Sequence, residues 1–260
     1  PFLAERAWGT VREDYSANGD AWSYITYEAA RSRAYRWSED GIAGWSDREQ
    51  LVCLSLALWN ERDPFLKERL FGLSNPEGNH GEDAKEYWWF QEATPTHSYC
   101  VYEYLYPLAE FPYQRLREEN ARRSRLEPEY ELVDTGVFDE GAVLVRARFA
   151  KAGPADTCLL VELSNLGDQE ARIHLLPQVT LRNLWSWGDE ELAFKPRLSA
   201  VEGQIVVDHP RLGRVTLASS GQPDLLFCEN ETNLRRLFGA DSGTPWPKDG
   251  INDHVVSGPA

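Results

Sequence analysis

Two apolar runs set close together, residues 158–164 and 171–181, constrain this chain more than any other feature. The first alternates in part and is rich in Leu and Val. The second keeps Ile173, Leu175, Val179 and Leu181 in phase. Between them lies Asn165-Leu-Gly-Asp168, a turn signal because Asn and Gly tolerate positive φ. Strand, short turn and longer strand predict a β-hairpin that places Leu160 and Ile173 on one face. Pro177 has no N–H for a ladder, so the second strand is expected to be bulged or to lie at a sheet edge. A two-stranded ribbon cannot bury an apolar face alone and needs a second sheet. The fold class that follows is mainly β: a large antiparallel β-sandwich with one or more short helices, residues 1–260 forming one domain.

The rest of the chain supplies more of the same. Residues 51–59, LVCLSLALW, form a continuous apolar run that fits a strand buried on both faces. Asp40-Gly41 predicts a hairpin turn between a strand at 33–37 and its return at 42–46. Residues 24–36 are ambiguous between a short helix and an irregular segment. Aromatic strands are expected at 86–92 and 98–106, and further strands at 132–138, 142–150, 199–207, 213–218 and 224–229, for about twelve in all. Residues 65–73 carry apolar residues at helix-like spacing. The strongest helix signal is 112–125, with Pro112 at its first turn and a charged Glu/Arg face around Leu116.

Charge and cysteine usage narrow the function. Lys and Arg number 27 against 42 Asp and Glu, a net charge of −15. Such a field repels phosphate backbones, so nucleic acid and anionic membrane surfaces are excluded as partners. No apolar run approaches the ~18–20 residues that span a bilayer. No leader pattern stands at the start of the sequence, which opens at Pro1 without Met, so a removed leader and export stay open beside the expected cytoplasmic, bacterial setting. Cys53, Cys100, Cys158 and Cys228 lie far apart in apolar runs and read as buried reduced thiols, the alternative being two disulfides. The five His show no ligand spacing, and no metal or other cofactor is expected. The informative excess is aromatic, with ten Trp, eleven Tyr and ten Phe, rings that suit packed cores and sugar faces alike.

Four stretches combine polar density with Gly, which lets a backbone approach a ligand. They are 8–14 with 18–20, 78–83, 229–233 and 248–253. Their candidate rim residues are Trp8, Arg12, Glu13, Asp14, Asp20, His80, Glu82, Asp83, Lys248, Asp249, Asn252 and Asp253. Carboxylates here suit acid–base work or hydrogen bonds to sugar hydroxyls. The bland reading is a set of surface turns, where Asp, Asn and Gly accumulate for backbone reasons. His174, with Glu162 on the neighbouring arm, and His97 are weighed as a mutarotase-like acid–base pair. An ordinary strand histidine is the simpler account.

Laid end to end, RAWGTVREDYSANGDAW, ARSRAYRWSEDGIAG, LALWNERDPFLKERLFGLSNPEGNHGEDAKEYWW, TPTHSYC, EYELVDTGVFDE, RNLWSWG, ENETN and KDGIND resemble the amino-terminal part of bacterial proteins related to glycoside hydrolase family 63. That family includes the processing α-glucosidase acting on glucosylated mannose oligosaccharides. The resemblance covers nearly the whole chain. It implies a β-supersandwich followed by an (α/α)6 barrel, and inverting hydrolysis of α-glucosidic bonds without a metal. The family places both catalytic carboxylates on the barrel, so no catalytic residue is assigned here. The implied role is support of the barrel and of its active-site rim. The implied partners are an α-glucoside oligosaccharide and the barrel itself, with a homodimer formed through an exposed barrel-facing patch. The rival readings are a free-standing carbohydrate-binding module and a mutarotase-like sugar epimerase.

Overall fold

The structure is a computed structural model, and it describes residues 2–3, 26–35, 41–73, 83–84, 86–187 and 194–258. Two four-stranded antiparallel sheets dominate it. The first runs in the order β1 (Phe2–Leu3), β2 (Ile42–Ser46), β3 (Val52–Trp59), β10 (His174–Leu181). The second runs β6 (Trp88–Ala93), β7 (Tyr99–Pro107), β8 (Ala142–Gly153), β9 (Asp156–Asn165). A two-stranded pairing joins β4 (Gly72–Leu73) to β5 (Asp83–Ala84), and a small sheet holds β11 (Arg197–Val201), β12 (Gln204–His209) and β13 (Gly213–Leu217).

The main sheets pack face to face, as the apolar patterning requires. Alternation along β7 turns Cys100, Tyr102, Tyr104 and Tyr106 inward, and their partners across the ladder on β8 are Phe149, Ala147, Val145 and Val143. Ile42, Trp45, Leu56 and Leu58 of the first sheet join the same core. Trp45 stacks on Phe149 with ring centroids 4.6 Å apart, bridging the layers. On the other face of the second sheet, Glu103 opposes Arg146 and is held by it and by Gln91. The run at 51–59 is the inner strand β3, with Cys53, Ser55, Leu56, Ala57 and Leu58 all buried. A second core sits under helix α1 (Tyr113–Arg122), where Leu116 meets Tyr27, Phe65, Phe71, Phe111 and Tyr130.

The hairpin expected at 158–181 does not form; its arms belong to different sheets. β9 pairs along its length with β8, whose hairpin closes at the tight turn between Gly153 and Asp156. β10 pairs with β3, from His174 opposite Trp59 to Leu181 opposite Val52. The Asn165 turn therefore carries the chain across the sandwich. Asn165 Oδ1 accepts from the Gly167 N–H at 2.9 Å, and its Nδ2 donates to the Gln169 carbonyl at 2.7 Å. Gly141 and Gly167 touch here, and a Cβ on Gly141 would lie 2.5 Å from the Gly167 Cα. Leu160 is consequently exposed, whereas Leu159, Val161 and Ile173 pack on the core. Pro177 is exposed on β10, which is an edge strand as its missing N–H requires.

Other expectations need correction. Residues 65–73 are extended, not helical: Lys67 exchanges both backbone hydrogen bonds with Leu58 at 2.8 Å. Residues 132–138 hold a 3-10 turn, Leu132–Thr135, stopped by Gly136 at φ +74. Residues 33–35 form no strand. Instead the Asn230 side chain stands in for one, accepting from the Tyr35 N–H and donating to its carbonyl, both at 2.7 Å. Gly41 bridges to Arg69, and the partners of β2 are β1 and β3 rather than an upstream hairpin arm. Residues 224–229 carry no strand. Among the described residues no helix is long and apolar enough to cross a membrane.

Candidate functional site

Residues 226–258 fold over the 3-10 turn Ala30–Ser32 and enclose an open cleft of about 1170 Å³. Its elements are helix α2 (Leu234–Phe238) and helix α3 (Gly250–Ser257). Asn233 starts α2 by accepting the Arg236 N–H at 2.9 Å, and Gly239 ends it at φ +69. The same Asn233 turns its amide to Asp249, 3.0 Å from Oδ1 and 3.1 Å from Oδ2.

Asp249 is the hub of this corner. Its side chain is 1% exposed and also accepts from Ser32 Oγ at 2.6 Å and from Arg236 Nη1 at 2.5 Å. Two of the stretches singled out in the sequence, 229–233 and 248–253, are thereby joined. Backbone bonds join them again: the Lys248 N–H donates to the Glu231 carbonyl, and the Glu229 N–H to the Trp246 carbonyl. Asn252 fastens α3 to the sandwich by accepting from the Leu66 N–H at 2.8 Å. Lys248 is buried against Glu68 and the Tyr35 ring, and burial holds its ammonium below the usual lysine range. Burial also pushes the Cys228 thiol up to about 11; its Sγ donates to the Lys248 carbonyl.

Asp253 faces the cleft, and its side chain is 45% exposed. Burial raises its pKa, but bonds from Arg236 and Asn252 more than reverse this and hold it below the usual range. Arg236 Nη2 lies 2.6 Å from Asp253 Oδ2, and this bond raises the arginine in turn. The lining also holds Arg31, Phe227 and Trp246, the last 66% exposed between Pro245 and Pro247. Beside the cleft, Lys195 bridges Glu229 and Glu231, and Glu231 accepts the Trp185 indole N–H at 2.6 Å.

The sequence candidates therefore separate. Lys248, Asp249 and Asn252 are buried anchors, since 250–257 is a helix whose start is pinned to the sandwich; Asp253 is open to the cleft. Asp83 lies on β5. Trp8, Arg12, Glu13, Asp14, Asp20, His80 and Glu82 lie outside the described residues. Arg31, Ser32, Arg236 and Trp246 were not among the candidates; the proline-flanked tryptophan was the legible signal, whereas Arg31 and Ser32 gain their place only through tertiary packing. His174 pairs with Glu61 at 2.8 Å rather than with Glu162, which pairs with Arg148. His97 closes a turn at φ +51. Cys53 and Cys100 are buried as expected, but Cys158 is exposed on the outer strand β9; none of the four is in a disulfide. No group of three or more metal-ligating side chains occurs among the described residues.

No family model matches the chain, and no solved structure matches it. An uncharacterized protein of Saccharomyces cerevisiae, YMR196W, is 37% identical over an alignment 294 positions long that takes in 99% of this chain. The chain spans 27% of that relative's length.

Proposed function

We propose that this chain is the non-catalytic β-sandwich part of a larger glycoside hydrolase of α-glucosidase type. In this reading a helical barrel performs an inverting hydrolysis, and the sandwich supports that barrel and part of its active-site rim. The observation that carries the reading is the two-sided build of residues 226–258. Toward the sandwich they are fixed by buried polar anchors, Asp249, Lys248 and Asn252. Away from it they leave Trp246 at 66% and Phe227 at 43% exposed in the lining of an open cleft. Large rings left bare beside ordered charge mark a surface that meets another body or a ligand. The resemblance of the ordered motifs to the family 63 proteins supports the same assignment.

Inverting hydrolysis uses one carboxylic acid to protonate the leaving oxygen and one carboxylate to activate water, roughly 6.5–9.5 Å apart. The reading assigns both to the barrel. Asp253, held ionised by Arg236, is suited to accepting a hydroxyl hydrogen bond and unsuited to donating a proton. Four cysteines without a disulfide favour a reducing, cytoplasmic setting. The test is hydrolysis of a panel of α-glucosides by the 260-residue chain and by a longer protein that carries it. Activity in the longer protein alone is expected. Turnover by the short chain would overturn the assignment and make Asp253 a catalytic suspect.

A further inference from the structure

We propose that the free edge of β9 is a self-association surface, where a second copy of this chain pairs its own β9 antiparallel and joins the two four-stranded sheets into one across a two-fold axis. The proposal does not rest on the glycosidase reading and uses none of the residues that line the cleft.

A sheet edge presents unpaired N–H and C=O groups and invites another strand unless something blocks it. The outermost strands of the two main sheets are β1, β10, β6 and β9. β1 has only two residues, Pro177 stands in β10, and a register shift interrupts β6 between Phe90 and Glu92. β9 has none of these devices. Its pairing with β8 is unbroken from Thr157 to Asn165, and that stretch holds no Pro, Lys or Arg. Leu160 is 51% and Leu163 40% exposed, and Cys158 is exposed on the same strand. The Leu166 N–H donates to the Ala142 carbonyl at 2.8 Å, which sets the phase of the ladder. Even-numbered residues of β9 turn their backbone groups to β8, and odd-numbered ones turn them away. The N–H and C=O groups of Thr157, Leu159, Val161, Leu163 and Asn165 thus point outward, and no strand among the described residues takes them.

The sequence of the edge selects a second copy as its occupant. The chain carries a net charge of −15, so two copies repel each other over acidic surface. From Thr157 to Asn165 the only charged residue is Glu162, and Arg148 pairs with it. The edge is also self-complementary, as a two-fold interface requires. An antiparallel seam sets outward-pointing residues against one another. With Val161 on the axis, Leu159 opposes Leu163 of the second copy and Thr157 opposes Asn165. This register carries the apolar inner face, to which Leu159 and Val161 belong, across the seam. On the outer face Leu160 meets Glu162 of the second copy, and Cys158 meets Ser164. The neighbouring registers fit less well. Centred on Glu162, the seam opposes that carboxylate to itself; centred on Leu159, it opposes Asp156 to Glu162; centred on Leu160, it sets Leu163 against Thr157.

The test is sedimentation equilibrium of the 260-residue chain, with circular dichroism confirming the fold of each variant. A seam one strand long lies at the small end of protein interfaces, so a dimer with a dissociation constant on the order of 10 μM is expected. Leu160→Glu places like charges opposite each other on both sides of the axis and should weaken the dimer about tenfold. Leu160→Lys, which meets Glu162 of the second copy, should leave it within about twofold. Both changes fall on an exposed side chain. Cys158 and Ser164 of the second copy form a pair without hydrogen bonds, whose Cα atoms lie about 4.5 Å apart, within disulfide reach. Ser164→Cys should therefore yield a covalent dimer through Cys158 on mild oxidation, and the same change combined with Cys158→Ser should not. A monomer at about ten times the expected dissociation constant would overturn the proposal. So would a dimer that answers alike to the two Leu160 variants, or one that Ser164→Cys fails to lock. The longer protein is measured beside the short chain. A dimer of the short chain alone would also overturn the proposal, because the rest of the longer protein would then hold the edge.

Discussion

Lys67–Glu86 is the most buried ion pair among the described residues, and its removal by halves makes a sharp prediction. The side chains are 2% and 1% exposed. Glu86 also accepts from Tyr104 Oη at 2.6 Å and from the Phe71 N–H at 3.1 Å. Lys67 Nζ lies 4.1 Å from the Phe111 centroid and 5.1 Å from that of Phe71. Burial raises the Glu86 carboxyl above its usual range, although Lys67, Tyr104 and Phe71 all pull it down. A carboxyl raised on folding binds protons more tightly in the native state, so its ionisation costs stability as pH rises from the ordinary carboxyl range through the folded value. Glu86→Gln keeps the shape and strands an ammonium in the core. Breaking such a pair costs about 3–5 kcal/mol, and the surrounding rings return up to about 2 kcal/mol of it, so a net loss of about 1–5 kcal/mol is expected. Lys67→Met leaves a carboxyl that can take a proton, so its penalty should shrink as pH falls toward the ordinary carboxyl range. The double variant removes both charges and should lie within about 1 kcal/mol of the parent. Urea unfolding followed by circular dichroism and tryptophan fluorescence measures all four proteins. Against a total of about 5–15 kcal/mol the shifts are large. A double variant as unstable as the sum of the singles would refute the reasoning.

Three further outcomes follow from the cleft and its surroundings. Asp249→Ala removes the shared acceptor of Ser32, Asn233 and Arg236 and should cost about 3–5 kcal/mol, with hydrogen exchange accelerated across 226–258 before the main sheets; uniform exchange would count against a local anchor. Asp253 is held below the usual carboxyl range, so its contribution is complete at neutral pH and is lost only as pH falls below about 4 through the folded value. Arg236→Met should move its carbon-13 titration upward, and an unmoved curve would show that Arg236 is not the cause. Alkylation with iodoacetamide in the native state should mark exposed Cys158 and spare Cys53, Cys100 and Cys228, read by peptide mass spectrometry; equal labelling would contradict the burial pattern.

Local sequence settled the elements whose partners are close or whose pattern is strong. The alternating rings of 98–106 and the apolar run 51–59 could only be strands with a buried face, and 112–125 could only place Leu116 inward as a helix. The expected sandwich follows from these. Which strand pairs with which is a different matter, because one run of alternating residues fits any edge of suitable length. Residues 158–164 and 171–181 were rightly strands, yet Gly153 to Asp156 closed the hairpin one strand earlier, and the Asn165 turn sent β10 to β3.

The site divides along the same line. That 229–233 and 248–253 carry chemistry-bearing residues was legible from their composition. That they share one corner, held by Asp249 to Ser32 across 217 residues, was not. Burial decides whether a carboxylate is an anchor or a rim group, and burial belongs to the packed chain. Asp249 and Asp253 stand four residues apart at the start of α3, identical in the sequence, one enclosed by three donors and the other open to the cleft. Composition chose the residue types; the fold, by excluding water from one and not the other, gave them different work.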